Sequence, residues 1–169
     1  MPTRVPRARA EQTAVEMPVD IQWADGLAPQ AEVPQSLFQR ALKTLALHCE
    51  DERLDSEVCV RLCGAEESRA LNARFRDKDY PTNVLSFPAA DDLPVEMRVL
   101  GDLALCWSVV AQEAVEQNKT PQDHLTHLFV HGVLHLLGHD HETPEQAAVM
   151  EALEVEVLAA LGVANPYVI

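Results

Sequence analysis

Three histidines in the last third of the chain have a spacing that could bind one metal ion. His131 and His135 are four residues apart, so on a helix they lie on one face, about 6 Å apart along the axis. Two imidazoles at that spacing can converge on one ion, with bonds of about 2.0–2.1 Å for zinc. Gly138 is the residue type most able to end a helix in a left-handed turn, after which the chain can bring His141 back over the ion. Three neutral nitrogens and a fourth position for water are typical of an open, catalytic zinc site.

Neighbouring side chains leave alternatives open. His127 also continues the four-residue spacing, but it would lie about 12 Å from His135 along a straight helix, too far for one ion to bind both easily. We therefore interpret His127 as a partner of a ligand or as an ordinary core histidine. His139 competes with His141 for the third position. Asp140, between them, could orient a ligating imidazole or could cap the turn.

The zinc-peptidase pattern HExxH is incomplete here. In that pattern a glutamate general base follows the first histidine, whereas this chain has Gly132. A peptidase would therefore lack its base. The chemistry must recruit another group, or rely on the metal to lower the pKa of its bound water toward about 7.

Hydrophobic periodicity predicts the elements that position these residues. Thr120 and Thr143 each precede a proline and are followed three residues on by a hydrogen-bonding side chain, a combination typical of helix starts. The first of these helices carries His131 and His135. The other predicted helices cover 34–49, 66–76 and 108–117, and the predicted strands cover 19–23, 57–62, 84–87 and 99–106, the last interrupted by Gly101 and Asp102.

This order of elements predicts an α+β fold. We expect a single domain with a mixed sheet of about four strands, about five helices and a metal site at the end of a central helix. Leu71 and Phe75 should face inward from the short helix 66–76. In the last helix an apolar stripe is predicted to pack on the core, formed by Met150, Leu153, Val157 and Leu161.

Length and composition indicate a cytoplasmic globular protein. The chain has 169 residues, 47% of them hydrophobic and 24% charged, which is typical of one soluble domain. No apolar run approaches the ~18–20 residues needed to span a bilayer, and the amino terminus has no secretory signal core. The four cysteines form no CxxC pair, so we expect reduced thiols. We expect a flexible basic tail over 1–16, a folded domain over 17–169 and no membrane partner.

The charge distribution is polarised. A net charge of −14 argues against a nonspecific coat of nucleic acid, because phosphates are repelled on average. Five of the 13 lysines and arginines nevertheless fall within 61–78: Arg61, Arg69, Arg74, Arg76 and Lys78. The acidic excess lies elsewhere, notably at Glu142, Glu145, Glu151, Glu154 and Glu156. A local RNA contact through Arg74, Arg76 and Lys78 is compatible with this pattern.

Three motifs together resemble the YbeY endoribonuclease family, the bacterial rRNA maturation factors. The family pattern HGxLHLxGxDH is matched without a gap by 131–141. A second pattern, N…R…D…TNVLSFP, is matched by Asn72, Arg74 or Arg76, Asp79 and 82–88. The third, LGD, is matched by 100–102. The resemblance extends from about residue 19 to Tyr167.

The resemblance implies a single-strand-specific, metal-dependent endoribonuclease. Its expected role is 16S rRNA 3′-end maturation and ribosome quality control, with the small ribosomal subunit and its assembly factors as partners. It also implies one zinc ion per chain, held by His131, His135 and His141. The functional arginine of the family falls on Arg61, at the end of the second strand. An arginine fork there could bind two nonbridging oxygens of a phosphodiester as charge develops on them.

Two other readings of the residues compete with the nuclease. One is a different metal hydrolase, for which the absence of a glutamate at position 132 disfavours a peptidase. The other is a ribosome-assembly factor in which the metal only stabilises the fold. A local basic surface suits both an RNase and an assembly factor.

Overall fold

The computed structural model describes residues 19–27, 33–89 and 99–168. Within those ranges the predicted α+β architecture is confirmed, with four strands and five helices besides a short 3-10 helix at Glu52–Asp55. The tail predicted at 1–16, and 90–98 of the loop expected after Pro88, lie outside the described residues. The elements in chain order are β1 (Val19–Trp23), α1 (Gln35–Cys49), β2 (Glu57–Cys63), α2 (Ala65–Arg76), β3 (Val84–Pro88), β4 (Val99–Cys106), α3 (Trp107–Glu116), α4 (Pro121–Leu136) and α5 (Pro144–Ala160).

The sheet is mixed, as predicted, and its strands lie in the order β1-β2-β4-β3. β1, β2 and β4 run parallel, and β3 pairs antiparallel with β4 at one edge. Gly101 and Asp102 do not interrupt β4, contrary to the sequence interpretation. Instead, Glu57 pairs with Val99 and Val58 with Gly101, so β4 accommodates one additional residue as a bulge.

Helix α4 lies at the centre of the molecule. It contacts α1, α3 and α5 as well as β3 and β4, and most of its side chains are buried. The predicted cap is confirmed, because the side chain of Thr120 accepts a hydrogen bond from the backbone N–H of Asp123. α5 begins with a complete capping box between Thr143 and Gln146, also as predicted. These caps fix where the two helices enter the site.

Gly132 allows α4 to pack closely on the sheet. A Cβ atom at this position would lie 2.8 Å from Cδ2 of Leu103 and 3.3 Å from Cγ2 of Val84, which is inside ordinary contact distance. The position that HExxH peptidases give to a catalytic glutamate is therefore occupied here by a packing contact. This contact holds the histidine-bearing turns of α4 against β3 and β4.

The predicted extent of α2 is confirmed, but of the two residues expected to face inward Leu71 is half-buried and Phe75 is exposed. Phe75 is 48% exposed, whereas the buried residues of the helix are Ser68 and Asn72. The hydroxyl of Ser68 bonds the backbone of Thr82, and the amide of Asn72 donates to the carbonyl of Tyr80 at 2.8 Å. These polar side chains face inward because they satisfy the backbone of the loop that follows α2.

Candidate metal centre and adjoining cleft

Three histidines converge at the carboxyl end of α4, and we call them the histidine cluster: His131, His135 and His141. Each can offer a ring nitrogen within 4.8 Å of the others. The Nε2 atoms of His131 and His135 are 3.1 Å apart. Two tetrahedral zinc–nitrogen bonds of about 2.0–2.1 Å would separate their nitrogens by roughly 3.3 Å. The donor set and its spacing therefore fit one metal ion.

The turn after α4 brings the third histidine over the other two. Gly138 has a φ of +96°, in the left-handed region that favours glycine. Its N–H donates to the carbonyl of His135, and the N–H of His139 donates to the carbonyl of Leu134, the pair of bonds of a Schellman motif. Asp140 then accepts a hydrogen bond from the backbone N–H of His141 at 2.8 Å. Of the two roles considered for Asp140, the contact observed is the capping of the turn.

The two histidines left open by the sequence differ in their surroundings. In the described part of the chain two groups have ligand atoms close enough for one ion: His131, His135 and His141, and His127, His131 and Glu154. Neither group contains His139, and only the first consists of histidines alone. His127 lies on the cleft side of α4 with its side chain 13% exposed, and its Nε2 is 3.2 Å from Oε1 of Glu154 without hydrogen-bond alignment. His127 therefore lies next to Glu154, which is the hydrogen-bond partner of His131. This agrees with the first of the two interpretations of His127, in which it lies beside a metal ligand.

Glu154 is the functional residue that sequence reasoning missed. Its side chain is fully buried, and its Oε1 lies 2.8 Å from Nδ1 of His131. Tyr167 donates its hydroxyl to Oε2 at 2.6 Å. The sequence assigned Glu154 only to the acidic excess, but it follows Met150 by four residues and precedes Val157 by three. That spacing places it on the buried stripe of α5 and could have identified it.

Electrostatics keep this carboxylate ionised. Burial by itself would raise the pKa of Glu154, but the imidazoles of His127 and His131 and the hydroxyl of Tyr167 outweigh it and lower the pKa to about 2. An ionised acceptor at Nδ1 favours the tautomer in which that nitrogen carries the proton. Nε2 of His131 is then left with a lone pair directed toward His135, the form required of a metal ligand.

His135 reaches its ligand form by a different route. Burial lowers its pKa, and the neighbouring imidazoles of His131 and His141 lower it further. A lowered pKa means that the ring is neutral at pH 7, with one nitrogen free to bind a cation.

The histidine cluster opens into a cleft of about 670 Å³. One wall is formed by the loop between α2 and β3 together with β3 itself, and the other by the cleft side of α4 and Tyr167. Of the three cations predicted to contact RNA, Arg76 and Lys78 line this cleft and Arg74 does not. The structure thus places two positive side chains in the same cavity as the three imidazoles.

The TNVLSFP segment (82–88) belongs to the β3 wall of this cleft, and hydrogen bonds tie it to the core. The amide of Asn83 donates to the Glu113 carboxylate at 3.0 Å, and the same carboxylate contacts Nε2 of buried His124 at 2.7 Å. The hydroxyl of Ser86 donates to the carbonyl of Gly132 at 3.2 Å. Asn83 and Ser86 both line the cleft, and both also make hydrogen bonds that tie this segment to α3 and α4.

Arg61 lies near the carboxyl end of β2, where the resemblance places it, but outside the cleft. Leu103 faces Gly132 of α4, and Val60 is its register partner on β2. Because side chains alternate along a strand, Arg61 points to the face of the sheet opposite α4. There its guanidinium forms two hydrogen bonds with Glu67, of 2.6 and 2.9 Å, and it does not line the cleft. These bonds raise the pKa of Arg61 and lower that of Glu67.

Comparison with known proteins identifies relatives over most of the chain. Residues 25–162 match the family model described as Endoribonuclease YbeY. A protein of that name from Acinetobacter baumannii (strain ATCC 17978) is 47% identical over 150 residues, covering 85% of this chain and 93% of the relative. One from Chelativorans sp. (strain BNC1) is 46% identical, covering 93% and 97%. Among solved structures, the solution structure of a Thermotoga maritima protein is similar with a TM-score of 0.54 and 28% identity, covering 85% of this chain and 91% of that one.

Proposed function

The chain belongs to the YbeY endoribonuclease family, whose activity is hydrolysis of RNA, and on that premise we propose that it cleaves single-stranded RNA at a zinc ion held by the histidine cluster. One observation carries the proposal: three imidazole nitrogens and two cationic side chains, Arg76 and Lys78, share one cleft. Metal-assisted cleavage of a phosphodiester uses a metal ion together with positive charge that stabilises the negative charge developing on the phosphate.

The residues of the chain divide the chemistry between them. Zinc bound here would polarise a phosphoryl oxygen or lower the pKa of a water molecule. Arg76 donates one guanidinium N–H to the carbonyl of Ser86 at 2.7 Å and another to the carbonyl of Phe75 at 3.2 Å, and these bonds hold the side chain at the cleft. Its remaining N–H groups can donate to nonbridging phosphate oxygens, and Lys78 adds a point charge. Glu154 holds His131 in its ligand tautomer.

We propose the cellular role that the motif resemblance implies. The substrate would be 16S rRNA at its 3′ end, and the setting ribosome maturation and quality control in the cytoplasm. The small ribosomal subunit and its assembly factors would be the partners. Support comes from membership of an endoribonuclease family and from the cationic cleft. In the described part of the chain no helix is long and apolar enough to cross a membrane.

Cleavage of a single-stranded RNA oligonucleotide by metal-verified protein tests the proposal. We expect endonucleolytic products from the wild type and none from His135→Ala, which removes one cluster nitrogen. That variant also controls for a contaminating RNase, because a contaminant would persist in its preparation. Cleavage that survives in His135→Ala at the wild-type rate would contradict the proposed activity.

Metal content separates the candidate ligands. His131→Ala, His135→Ala and His141→Ala should each hold well below one zinc per chain, whereas His139→Ala should keep the wild-type content. Full occupancy in His141→Ala, with loss in His139→Ala, would transfer the third position to His139. Full zinc content together with no RNA cleavage by the wild type would favour the assembly factor with a structural metal.

A further inference from the structure

Two exposed aromatic residues, Phe75 and Tyr80, flank the cleft cations Arg76 and Lys78 along the chain. Tyr80 lines the cleft and is 51% exposed. Phe75 is 48% exposed and packs edge-to-face against Phe87, with ring centroids 5.1 Å apart. Arg76, which lines the cleft, lies with its Cζ 5.4 Å from the centre of the Phe87 ring. The Phe75–Phe87 pair therefore adjoins Arg76, one of the cleft cations, and Tyr80 lines the same cleft.

Among the described residues, the cations beside these rings have no carboxylate partner. Arg61 is paired with Glu67, and Arg69 with Asp79. Over the described ranges, by contrast, no ion pair involves Arg74, Arg76 or Lys78. Arg74 instead lies with its Cζ 5.1 Å from the centre of the Phe75 ring. A guanidinium over an aromatic face keeps its charge available to an outside anion.

Alternating rings and unpaired cations match one kind of ligand. Proteins that bind single-stranded nucleic acid place the backbone phosphates on cations and stack successive unpaired bases on aromatic rings. RNA recognition in particular uses unstacked bases on aromatic side chains or on guanidinium planes. A duplex cannot use such rings, because its bases are already stacked inside the helix.

We propose that Tyr80 and Phe75 are stacking platforms for unpaired bases of the RNA strand whose phosphates contact Arg76 and Lys78. The inference rests on the proposed function and names the residues through which the cleft would select single strands. A protein partner is a less suitable occupant, because a protein-docking surface is typically a contiguous apolar area. Here the two rings are separated by charged residues, in a chain of net charge −14.

Binding to a strand with and without bases tests the platforms. The probes are a single-stranded oligoadenylate and the same strand with abasic sites, and the protein carries His135→Ala so that the probes stay intact. Tyr80→Leu and Phe75→Leu should each weaken binding of the base-bearing strand by roughly 5- to 150-fold, the usual cost of losing one stacked base. Binding of the abasic strand should not change.

Three matched variants keep the result interpretable. Tyr80→Phe retains the ring and should bind both strands like the parent. Arg76→Ala removes a phosphate contact and should weaken binding of both strands. Leu47→Ala, an exposed position on α1 (73% exposed), should leave both affinities unchanged. A circular dichroism spectrum and a melting temperature like those of the parent establish that the Leu variants are folded.

The outcomes distinguish the platforms from the nuclease itself. If the chain with His135 intact cleaves single-stranded RNA but the Leu variants keep the parent's preference for the base-bearing strand, the platform assignment is wrong and the proposed function stands. A protein-docking role for the rings would give that same result. Equal loss on both strands would also overturn the assignment, since it would indicate an effect on phosphate contacts. If the chain neither binds nor cleaves single-stranded RNA, the proposed function fails first.

Discussion

At the scale of single residues, the three histidines of the cluster have different surroundings. Glu154 fixes the tautomer of His131, and burial beside two other imidazoles keeps His135 neutral. The backbone N–H of His141 donates to Asp140. A metal ion arriving at this site meets a His131 ring oriented by Glu154 and a neutral His135, which reduces the cost of ordering these two donors on binding.

Tyr167 and Glu154 should govern metal affinity without contacting the metal. Glu154→Gln removes the charge that holds the proton on Nδ1 of His131, and we expect affinity for zinc to fall by about 10- to 100-fold. Tyr167→Phe removes one hydrogen bond to the same carboxylate and should have a smaller effect in the same direction. Competition with a chelator of known affinity measures both.

The control for these two variants lies on the same helix. Glu145→Gln changes an exposed carboxylate in the first turn of α5 and should leave zinc affinity unchanged. Unaltered affinity in folded Glu154→Gln would show that the carboxylate does not position His131. A parallel fall in the control would indicate a general effect of charge.

Two arginines, Arg61 and Arg76, are candidates for the phosphate contact in catalysis. The family resemblance assigns the functional arginine to Arg61, whereas the cleft contains Arg76. If Arg76 donates to charge that develops on the phosphate, Arg76→Ala should lower single-turnover cleavage on the order of 10²–10³-fold with zinc content unchanged. Arg76→Lys should restore only part of the rate, because an ammonium lacks the planar fork.

The companion variant, Arg61→Ala, should lose much less cleavage if its partner is only Glu67. Rate constants, zinc content and melting temperature measured on the same preparations separate catalysis from folding. Loss of cleavage in Arg61→Ala alone, with zinc and fold retained, would assign the phosphate contact to Arg61 after all.

Residues whose position depends on local sequence patterns could be predicted, whereas residues whose position depends on tertiary contacts could not. The histidine cluster depends on helical spacing and one left-handed glycine, both local, and it could be predicted. The orientation of Arg61 depends on which face of β2 meets α4, a tertiary contact that no local pattern specifies. Glu154 had a local signal in its helical position, but its charge concealed it, because an isolated glutamate is rarely buried.

At the scale of elements, the close approach of β3, β4 and α4 depends on Gly101. It lies opposite Pro88 on β3 and has a φ of +156°. A Cβ there would lie 2.6 Å from the carbonyl oxygen of Phe87 and 2.6 Å from Cδ2 of Leu136. Because one of these neighbours is backbone, it cannot move aside as a side-chain end can. The glycine of the LGD motif is therefore required for the close packing of β3, β4 and α4.

Gly101→Ala should accordingly lower the free energy of unfolding on the order of 3 kcal/mol, from backbone strain and overpacking together. Urea denaturation with an unchanged m-value measures the loss. Gly162→Ala is the matched control: its φ is also positive, at +79°, but a Cβ there would have no neighbour within 4 Å. It should cost about 1–2 kcal/mol. Equal losses of unfolding free energy in the two variants would show that steric overlap at Gly101 does not contribute.

Helices and strands were predicted more reliably than their arrangement, because they depend on local contacts and the arrangement depends on contacts between distant residues. Thr120 and Thr143 cap helices through hydrogen bonds with residues three positions further along the chain. Such local contacts can be recognised in the sequence. The order β1-β2-β4-β3 depends on pairings between residues far apart along the chain. The inward face of α2 was misjudged because Ser68 and Asn72 are buried by hydrogen bonds to a loop rather than by hydrophobicity.

At the scale of the whole molecule, an acidic protein has a cleft with two cations that stand outside its ion pairs. The net charge is −14, and over the described ranges the arginines in ion pairs are Arg53, Arg61 and Arg69, whereas the cleft cations Arg76 and Lys78 form none. Such a distribution repels nucleic acid from most of the surface while attracting it at the cleft. Binding should therefore be local, with few phosphate contacts.

The number of phosphate contacts can be measured from the dependence of RNA affinity on salt concentration. On single strands each neutralised phosphate contributes about −0.7 to the slope of log affinity against log salt. Contacts through Arg76 and Lys78 alone predict a slope of about −1.4, and Arg76→Ala should reduce its magnitude by about 0.7. Arg69→Ala is the matched control, because Arg69 lies on the same helix and carries the same charge but is already paired with Asp79; its slope should stay at the wild-type value. A slope independent of Arg76, or one several times steeper than −1.4, would place the RNA on a surface other than this cleft.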